Sequence, residues 1–215
     1  MNKISVLLVD DHEVVRAGFK ILLASQADIG EITDINRGEL VAQEYARVTP
    51  EVVVMDLSMP GIGGLETIRR LVKQDPHAKI LVYSIHDESI YVERAMQAGA
   101  KGYVTKNSAA EILAVAITQV ARGETYIEQN LLPDLNDTKY DTTSHYKDMI
   151  DLLTPREFEV FQRLAKGMTV HDVSENLHLG YKTVANYSTQ VKTKLKANSA
   201  AEIANIAMVL GIIKP

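Results

Sequence analysis

The chain has no cysteine, which removes disulfides, thiolate metal sites and cysteine nucleophiles together and fits a reducing compartment. No apolar stretch approaches the roughly 20 residues that a bilayer-spanning helix needs, so no membrane role is expected. The amino terminus offers one Lys and a short β-rich run from Ile4 to Val9 before Asp10 and Asp11. That is too brief, and too soon acidic, for a signal peptide. Cytoplasm is the expected location. Histidines at metal-ligand spacing are lacking: His171 and His178 share an expected helix face without companion ligands and read as surface residues. There is no internal repeat and no strict low-complexity tract.

What is present is enough apolar material for one large domain or two ordinary ones, 46% hydrophobic over 215 residues. The net charge of -5 is uneven: residues 151–215 hold 8 Lys+Arg against 6 Asp+Glu, while residues 1–150 hold 15 against 22. A slightly basic part therefore follows an acidic one. Residues 128–150 are rich in Asp, Asn, Thr and Ser and have little apolar rhythm, which suggests a linker. The expected division is a first domain over 1–123, a linker over 124–151 and a second domain over 152–215.

The first part alternates short apolar runs with helical periodicity. ISVLLV (4–9), EITDI (31–35), VVVM (52–55), KILVYS (79–84) and GYVT (102–105) are the candidate strands. Continuous apolar runs of this length suit strands covered on both faces, and strand–helix alternation implies a parallel sheet with right-handed crossovers. In such a sheet all strands end at one edge, where ligands bind. The strand ends deliver Asp10 and Asp11, then Asp56, Ser84 and Lys106. Clustered carboxylates repel one another unless a hard cation neutralises them, and Mg²⁺ with its oxygen ligands is the expected one. A carboxylate beside Mg²⁺ can attack phosphorus, with a Lys ammonium spreading the developing charge. Taken singly, an Asp after a strand is more often a turn former and a lone Lys is more often solvated. The combination in strand order is what carries the phospho-acceptor reading.

DDHEVVRAG, VVVMDLSMPGIGG, LVYSIHDE and AGAKGYVTK resemble the blocks of a bacterial response-regulator receiver domain, across about residues 3–123. The resemblance implies a flavodoxin-like, five-stranded parallel sheet of order 2-1-3-4-5. It makes Asp56 the phospho-acceptor and Asp11, Asp56 and the main-chain carbonyl of Ser58 the Mg²⁺ ligands, with Asp10 in support. Ser84 is then the switch hydroxyl, Tyr103 the aromatic that turns inward after it, and Lys106 the phosphate-binding ammonium. A sensor histidine kinase or phosphotransfer protein is the implied partner. Ser84 stands where Thr is frequent and Asn107 where Pro is frequent, while Ser58 and His86 would flank the phosphoryl group.

The last part is punctuated by caps. Thr154, Pro155 and Glu157 open one helix, with Leu153 and Phe158 placed as a staple. Thr169 and Asp172 open a second, a third runs from about Tyr181 to Lys196 after the turn HLGY, and Ser199 with Glu202 opens a fourth that Gly211 closes. Two helices joined by a tight Gly-containing turn, the second basic, form a helix-turn-helix arrangement. On the third helix Val184, Val191 and Leu195 share one face, and Lys182, Ala185, Asn186, Thr189 and Thr193 lie on or near the other. Lys192, Lys194 and Lys196 are available to phosphates. A small helical bundle whose lysines only keep it soluble is the plainer alternative.

LTPREFEVFQRLAKGMTVHDVSENLHLGYKTVANYSTQVKTKL resembles the LuxR-type DNA-binding domain, from about residue 152 onward. With the receiver this is the architecture of the NarL/FixJ regulators, and SMPGIGGLE resembles the GacA/UvrY branch. Lys182, Thr183, Ala185, Asn186 and Thr189 would then face double-stranded DNA. Gly180 replaces the usual Ser cap, Ala185 a common basic residue and Tyr187 a common His. The fourth helix is apolar nearly all round, and in this family it pairs two chains on an inverted-repeat site. Ile203, Ile206, Met208, Val209 and Leu210 are the expected homodimer contacts. The implied function is phosphorylation-controlled transcriptional regulation, not catalysis on an external substrate. Two rivals stand beside it. An aspartyl-phosphate phosphatase would typically carry a second Asp where Ser58 lies, and a DNA-binding regulator with a vestigial receiver would act without phosphorylation.

Overall fold

The computed structural model describes residues 3–131 and 142–213, so residues 132–141 of the expected linker lie outside the described residues. The chain divides into two compact units, Met1–Leu132 and Pro133–Pro215.

The first unit is built on strands β1 (Ile4–Val9), β2 (Ile29–Ile35), β3 (Val52–Met55), β4 (Ile80–Ser84), β5 (Gly102–Thr105) and β6 (Tyr126–Ile127), all parallel, in the order 2-1-3-4-5-6. Helices α1 (Glu13–Ala24), α2 (Val41–Val48), α3 (Gly64–Gln74), α4 (Ser89–Ala98) and α5 (Ala110–Ala121) connect them. Every residue of β3 is buried, as expected of a central strand covered on both faces. Val6, Leu8, Val52 and Val54 pack with Phe19 and Leu23 of α1 and Leu113, Ile117 and Val120 of α5, whereas the alternate residues Leu7, Val9, Val53 and Met55 are equally buried. This two-sided burial fixes strand register and holds the strand ends in one row.

Two expectations need correction. The sheet has six strands, not five, because β6 pairs with β5 through Gly102–Tyr126 and Tyr103–Ile127. The span 124–151 is also not linker throughout: besides β6 it contains a 3₁₀ turn (Gln129–Leu131) and helix α6 (Thr142–Asp151), with Met149 and Ile150 buried. Polar composition concealed them because so short a strand, and a helix with one narrow apolar face, leave little periodic signal.

The second unit holds α6, α7 (Pro155–Ala165), α8 (Val170–Asn176), α9 (Tyr181–Leu195) and α10 (Ala200–Val209). The caps lie where the sequence puts them. Thr154 Oγ1 accepts from the Glu157 N–H at 3.3 Å while the Thr154 N–H donates to Glu157 Oε2 at 2.7 Å. Thr169 and Asp172 do the same for α8, and Ser199 accepts from the Glu202 N–H. Val160, Val173, Leu177 and Val184 form a core shared by α7, α8 and α9. His178 does not share a helix with His171: it follows α8 at φ 52, in the turn.

Candidate functional site

Asp56 directly follows β3, and its N–H donates to the Val9 carbonyl at 2.9 Å. That bond pins it beside the end of β1, where Asp10 and Asp11 leave the sheet. Asp10 and Asp56 are buried. From the end of β5, Lys106 sends its ammonium between them, 2.6 Å from Asp10 Oδ2 and 2.8 Å from Asp56 Oδ2. The Lys106 N–H donates to the Ser84 carbonyl at 2.7 Å, linking the fourth and fifth strand ends. The structure thus brings Asp10, Asp56, Ser84 and Lys106 together as the strand order requires.

Burial raises the Asp56 pKa, with the Asp10 charge adding to it, against the opposing pull of Lys106 and the Ser58 N–H. For Lys106, burial disfavours the charge, but Asp56 and Asp10 outweigh it and hold the ammonium pKa above the ordinary lysine value. Ligating atoms of Asp10, Asp11, His12 and Asp56 all lie within 4.8 Å of one another. Asp11 Oδ1 is buried and makes no hydrogen bond, although His12 Nδ1 lies 3.1 Å away. An unsatisfied carboxylate oxygen in an acidic cluster is costly, and a hard oxygen-seeking cation removes that cost. The donor set therefore fits Mg²⁺.

Close packing shapes the loop after Asp56. A Cβ on Gly64, the first residue of α3, would fall 2.2 Å from the Asp56 carbonyl oxygen and 2.5 Å from Leu57 Cα. Only glycine lets α3 start against that backbone. Ser58 donates its N–H to Asp56 Oδ1 at 3.2 Å, and its Oγ lies 3.0 Å from His86 Nε2. The His86 ring stacks on Tyr91, with centroids 3.8 Å apart. Ser84 is buried, and its Oγ accepts from the His86 N–H at 3.3 Å. Tyr103 points inward, fully buried, and donates its hydroxyl to the His86 carbonyl at 3.0 Å. Burial raises the Tyr103 pKa, so the phenol stays a donor.

Arg16 was missed in the sequence. Its guanidinium donates to the Asp10 carbonyl and to Asp34 Oδ2, each at 2.9 Å, and so ties the turn bearing the acids to β2. No local spacing signals it, because its carboxylate partner lies 18 positions away on β2.

In the second unit α9 buries Val184, Ser188, Val191 and Leu195. Lys182, Thr183, Asn186, Thr189, Lys192, Thr193 and Lys196 are exposed and Ala185 is half-buried. Thr189, Lys192, Thr193, Lys196 and Asn198 line a surface hollow of about 400 Å³. Lys194 departs from its expected role. Its ammonium lies 2.6 Å from Glu157 Oε2 and 3.0 Å from the Leu152 carbonyl, an internal tie and not a free phosphate donor. Ile203 and Ile206 depart from theirs as well, since both are buried within their own domain. Of the apolar positions named on α10, Met208 and Val209 are exposed and Leu210 is partly so.

Comparison with known proteins covers both units. Residues 6–118 match the family described as response regulator receiver domain, and residues 151–207 match bacterial regulatory proteins of the luxR family. The chain is 35% identical to the transcriptional activator protein ExaE of Pseudomonas putida over 97% of this chain and 98% of that protein. It is 35% identical to the response regulator GacA of Pseudomonas aeruginosa over 98% of each. In fold it is similar to the RcsB response regulator of Salmonella typhimurium, with a TM-score of 0.68 at 21% identity over 97% of this chain and 99% of that one. An acidic site at the ends of a parallel sheet, followed by a capped helix-turn-helix, makes this chain a response regulator of the NarL/FixJ family with a LuxR-type DNA-binding domain.

Proposed function

We propose that Asp56 accepts a phosphoryl group from a sensor histidine kinase or phosphotransfer protein, and that this modification sets DNA binding by α9. The observation that supports it most is the buried Asp56 carboxylate flanked by Lys106, with the acids of β1 alongside. Asp11, Asp56 and the main-chain carbonyl of Ser58 would hold Mg²⁺, with Asp10 supporting. When bound, Mg²⁺ neutralises phosphoryl oxygens and orients them. An Asp56 carboxylate oxygen attacks phosphorus, the phosphorus–nitrogen bond of the donor phosphohistidine breaks, and its electron pair stays with the imidazole. Lys106 turns from the carboxylates to a phosphoryl oxygen, and the Ser84 hydroxyl, whose oxygen now accepts from the His86 N–H, donates to another. The chemistry is performed on the chain itself, and the regulatory output lies in the second unit.

There, Asn186 is suited to a bidentate contact with adenine, and Lys182, Thr183, Lys192 and Lys196 to phosphates. The Thr189 hydroxyl is engaged by the Ala185 carbonyl at 3.0 Å, so thymine contact through methyl groups of Ala185 and Thr189 suits this face. The exposed Met208 and Val209, with Leu210, are the α10 surface on which two chains would pair over an inverted repeat. Among the described residues no helix is long and apolar enough to cross a membrane, and cytoplasmic action on DNA is part of the proposal. The test is intact mass after incubation with Mg²⁺ and acetyl phosphate. One phosphoryl adduct on wild type, absent from Asp56→Asn, is expected, together with tighter binding to an operator selected in vitro. An adduct that persists in Asp56→Asn, or equal DNA affinity with and without the adduct, would overturn the proposal.

A further inference from the structure

Glu128 is a buried carboxylate in the stretch whose sequence reads as linker, and the phosphoryl site makes no direct use of it. Glu128 follows β6, and its own N–H donates to the Tyr103 carbonyl at 3.1 Å, extending the β5–β6 ladder by one rung. Its Oε2 accepts from the Thr105 N–H at 3.0 Å and from the Ser108 hydroxyl at 2.6 Å. Thr105 Oγ1 lies 2.8 Å from Ser108 Oγ, and the Ser108 N–H donates to the Thr105 carbonyl at 3.1 Å. The residues so bracketed are 105 to 108, the turn that carries Lys106. On its other side the Glu128 carbonyl accepts from the Leu131 N–H at 2.9 Å, closing the 3₁₀ turn that ends the described part of the first unit.

A carboxylate that accepts charge-assisted hydrogen bonds in a buried place is costly to leave unpaired, so it follows its donors when they move. Lys106 is held at two points: its side chain by Asp10 and Asp56, its backbone by the Ser84 carbonyl. A group on Asp56 that draws the ammonium away also loads the 105–108 turn, and Glu128 is the side chain that joins this turn to residues 126–131.

We infer that Glu128 is a positioning residue for the Lys106 turn and couples the state of the phosphoryl site to the segment 126–131 through which the chain leaves the receiver. The inference rests on the phospho-acceptor reading of Asp56 for its physiological input. The coupling itself can also be driven by removing the Lys106 ammonium.

The experiment is hydrogen–deuterium exchange of the full chain, read on the peptide spanning 126–131, with the adduct followed by intact mass. Wild type is compared with and without acetyl phosphate and Mg²⁺. Exchange in 126–131 is expected to change by about tenfold, a coupling typical of linked sites. In Glu128→Ala, compared at equal adduct occupancy by intact mass, the phosphorylation-dependent change is expected to fall to within about twofold. Glu128→Gln, which keeps an acceptor for the Thr105 N–H, should retain part of it. A merely structural Glu128 would shift exchange equally in both states and leave their difference intact, and that result overturns the inference. If Glu128→Ala does not fold, Ser108→Ala removes the 2.6 Å bond but leaves that of the Thr105 N–H, so the change should be reduced as in Glu128→Gln, and an undiminished change overturns the inference. If wild type forms no adduct, the phospho-acceptor reading fails on its own. Lys106→Met then decides the coupling: it should alter exchange in 126–131 in the otherwise wild-type chain and by less when combined with Glu128→Gln, and equal effects in both backgrounds overturn it.

Discussion

Glu157 Oε2 accepts a 2.6 Å hydrogen bond from the ammonium of Lys194, joining the first turn of α7 to the last turn of α9 across 37 positions of sequence. The same oxygen accepts the Thr154 N–H of the capping box, so one carboxylate starts one helix and anchors another. Burial alone would raise the Glu157 pKa, but Lys194 and Thr154 outweigh it and hold the carboxyl below its ordinary 4.5. A depressed folded pKa contributes stability above the unfolded value and loses it as pH falls through the folded one.

Lys194→Met should therefore cost the second unit about 2 kcal/mol at pH 7, and the difference from wild type should shrink once the pH drops below the ordinary carboxyl value. Urea unfolding followed by far-ultraviolet circular dichroism at both ends of that range measures it. A pH-independent difference would assign the effect to packing of the lysine stem instead.

Lys106→Met leaves Asp10 and Asp56 buried without their ammonium. Without divalent cation the first unit should lose about 3 kcal/mol, and added Mg²⁺ should stabilise the variant more than wild type because ion and ammonium serve the same charges. Chemical denaturation across a Mg²⁺ titration reads this. Smaller Mg²⁺ increments in the variant would mean that Lys106 and the cation do not share a site.

Gly64→Ala places a methyl where the Asp56 carbonyl and Leu57 Cα already are. The backbone between β3 and α3 must shift, with an expected loss of about 3 kcal/mol or more and a sharp fall in adduct yield with acetyl phosphate. Wild-type yield at wild-type stability would show that the loop has room this geometry denies it.

On α9, Lys192→Ala should weaken operator binding evenly across sequences and reduce the salt slope by about one unit. Asn186→Ala should instead relax preference at one base position, at a cost of about 1 to 3 kcal/mol. Fluorescence anisotropy with single-base operator variants at several salt concentrations separates the two. Exchanged behaviours would mean that the helix enters the groove in another register.

The acids, Ser84 and Lys106 were legible because each follows an apolar run, and a parallel sheet aligns those run ends. Thr154, Thr169 and Ser199 were legible because caps are local, confined to four consecutive residues. Strand β6 was not: Tyr126–Ile127 pairs on one side only, and two residues cannot display a period. Glu128 went unnoticed with it. The side of α10 that faces inward was also hidden, because a helix apolar nearly all round does not say whether Ile203 and Ile206 or Met208 and Val209 meet the core. Lys194 looked like a phosphate donor because its acceptor lies in another helix, far away in sequence.

Helix α9 meets its own domain through Val184, Ser188, Val191 and Leu195 and turns most of its other side chains to solvent. The residues that hold the helix and the residues that would read DNA thus form separate alphabets. Surface substitutions away from buried contacts cost little stability. Lineages carrying this scaffold can accordingly trade Asn186, Ala185 or Thr189 for other letters and change promoter allegiance without first having to rebuild the protein beneath.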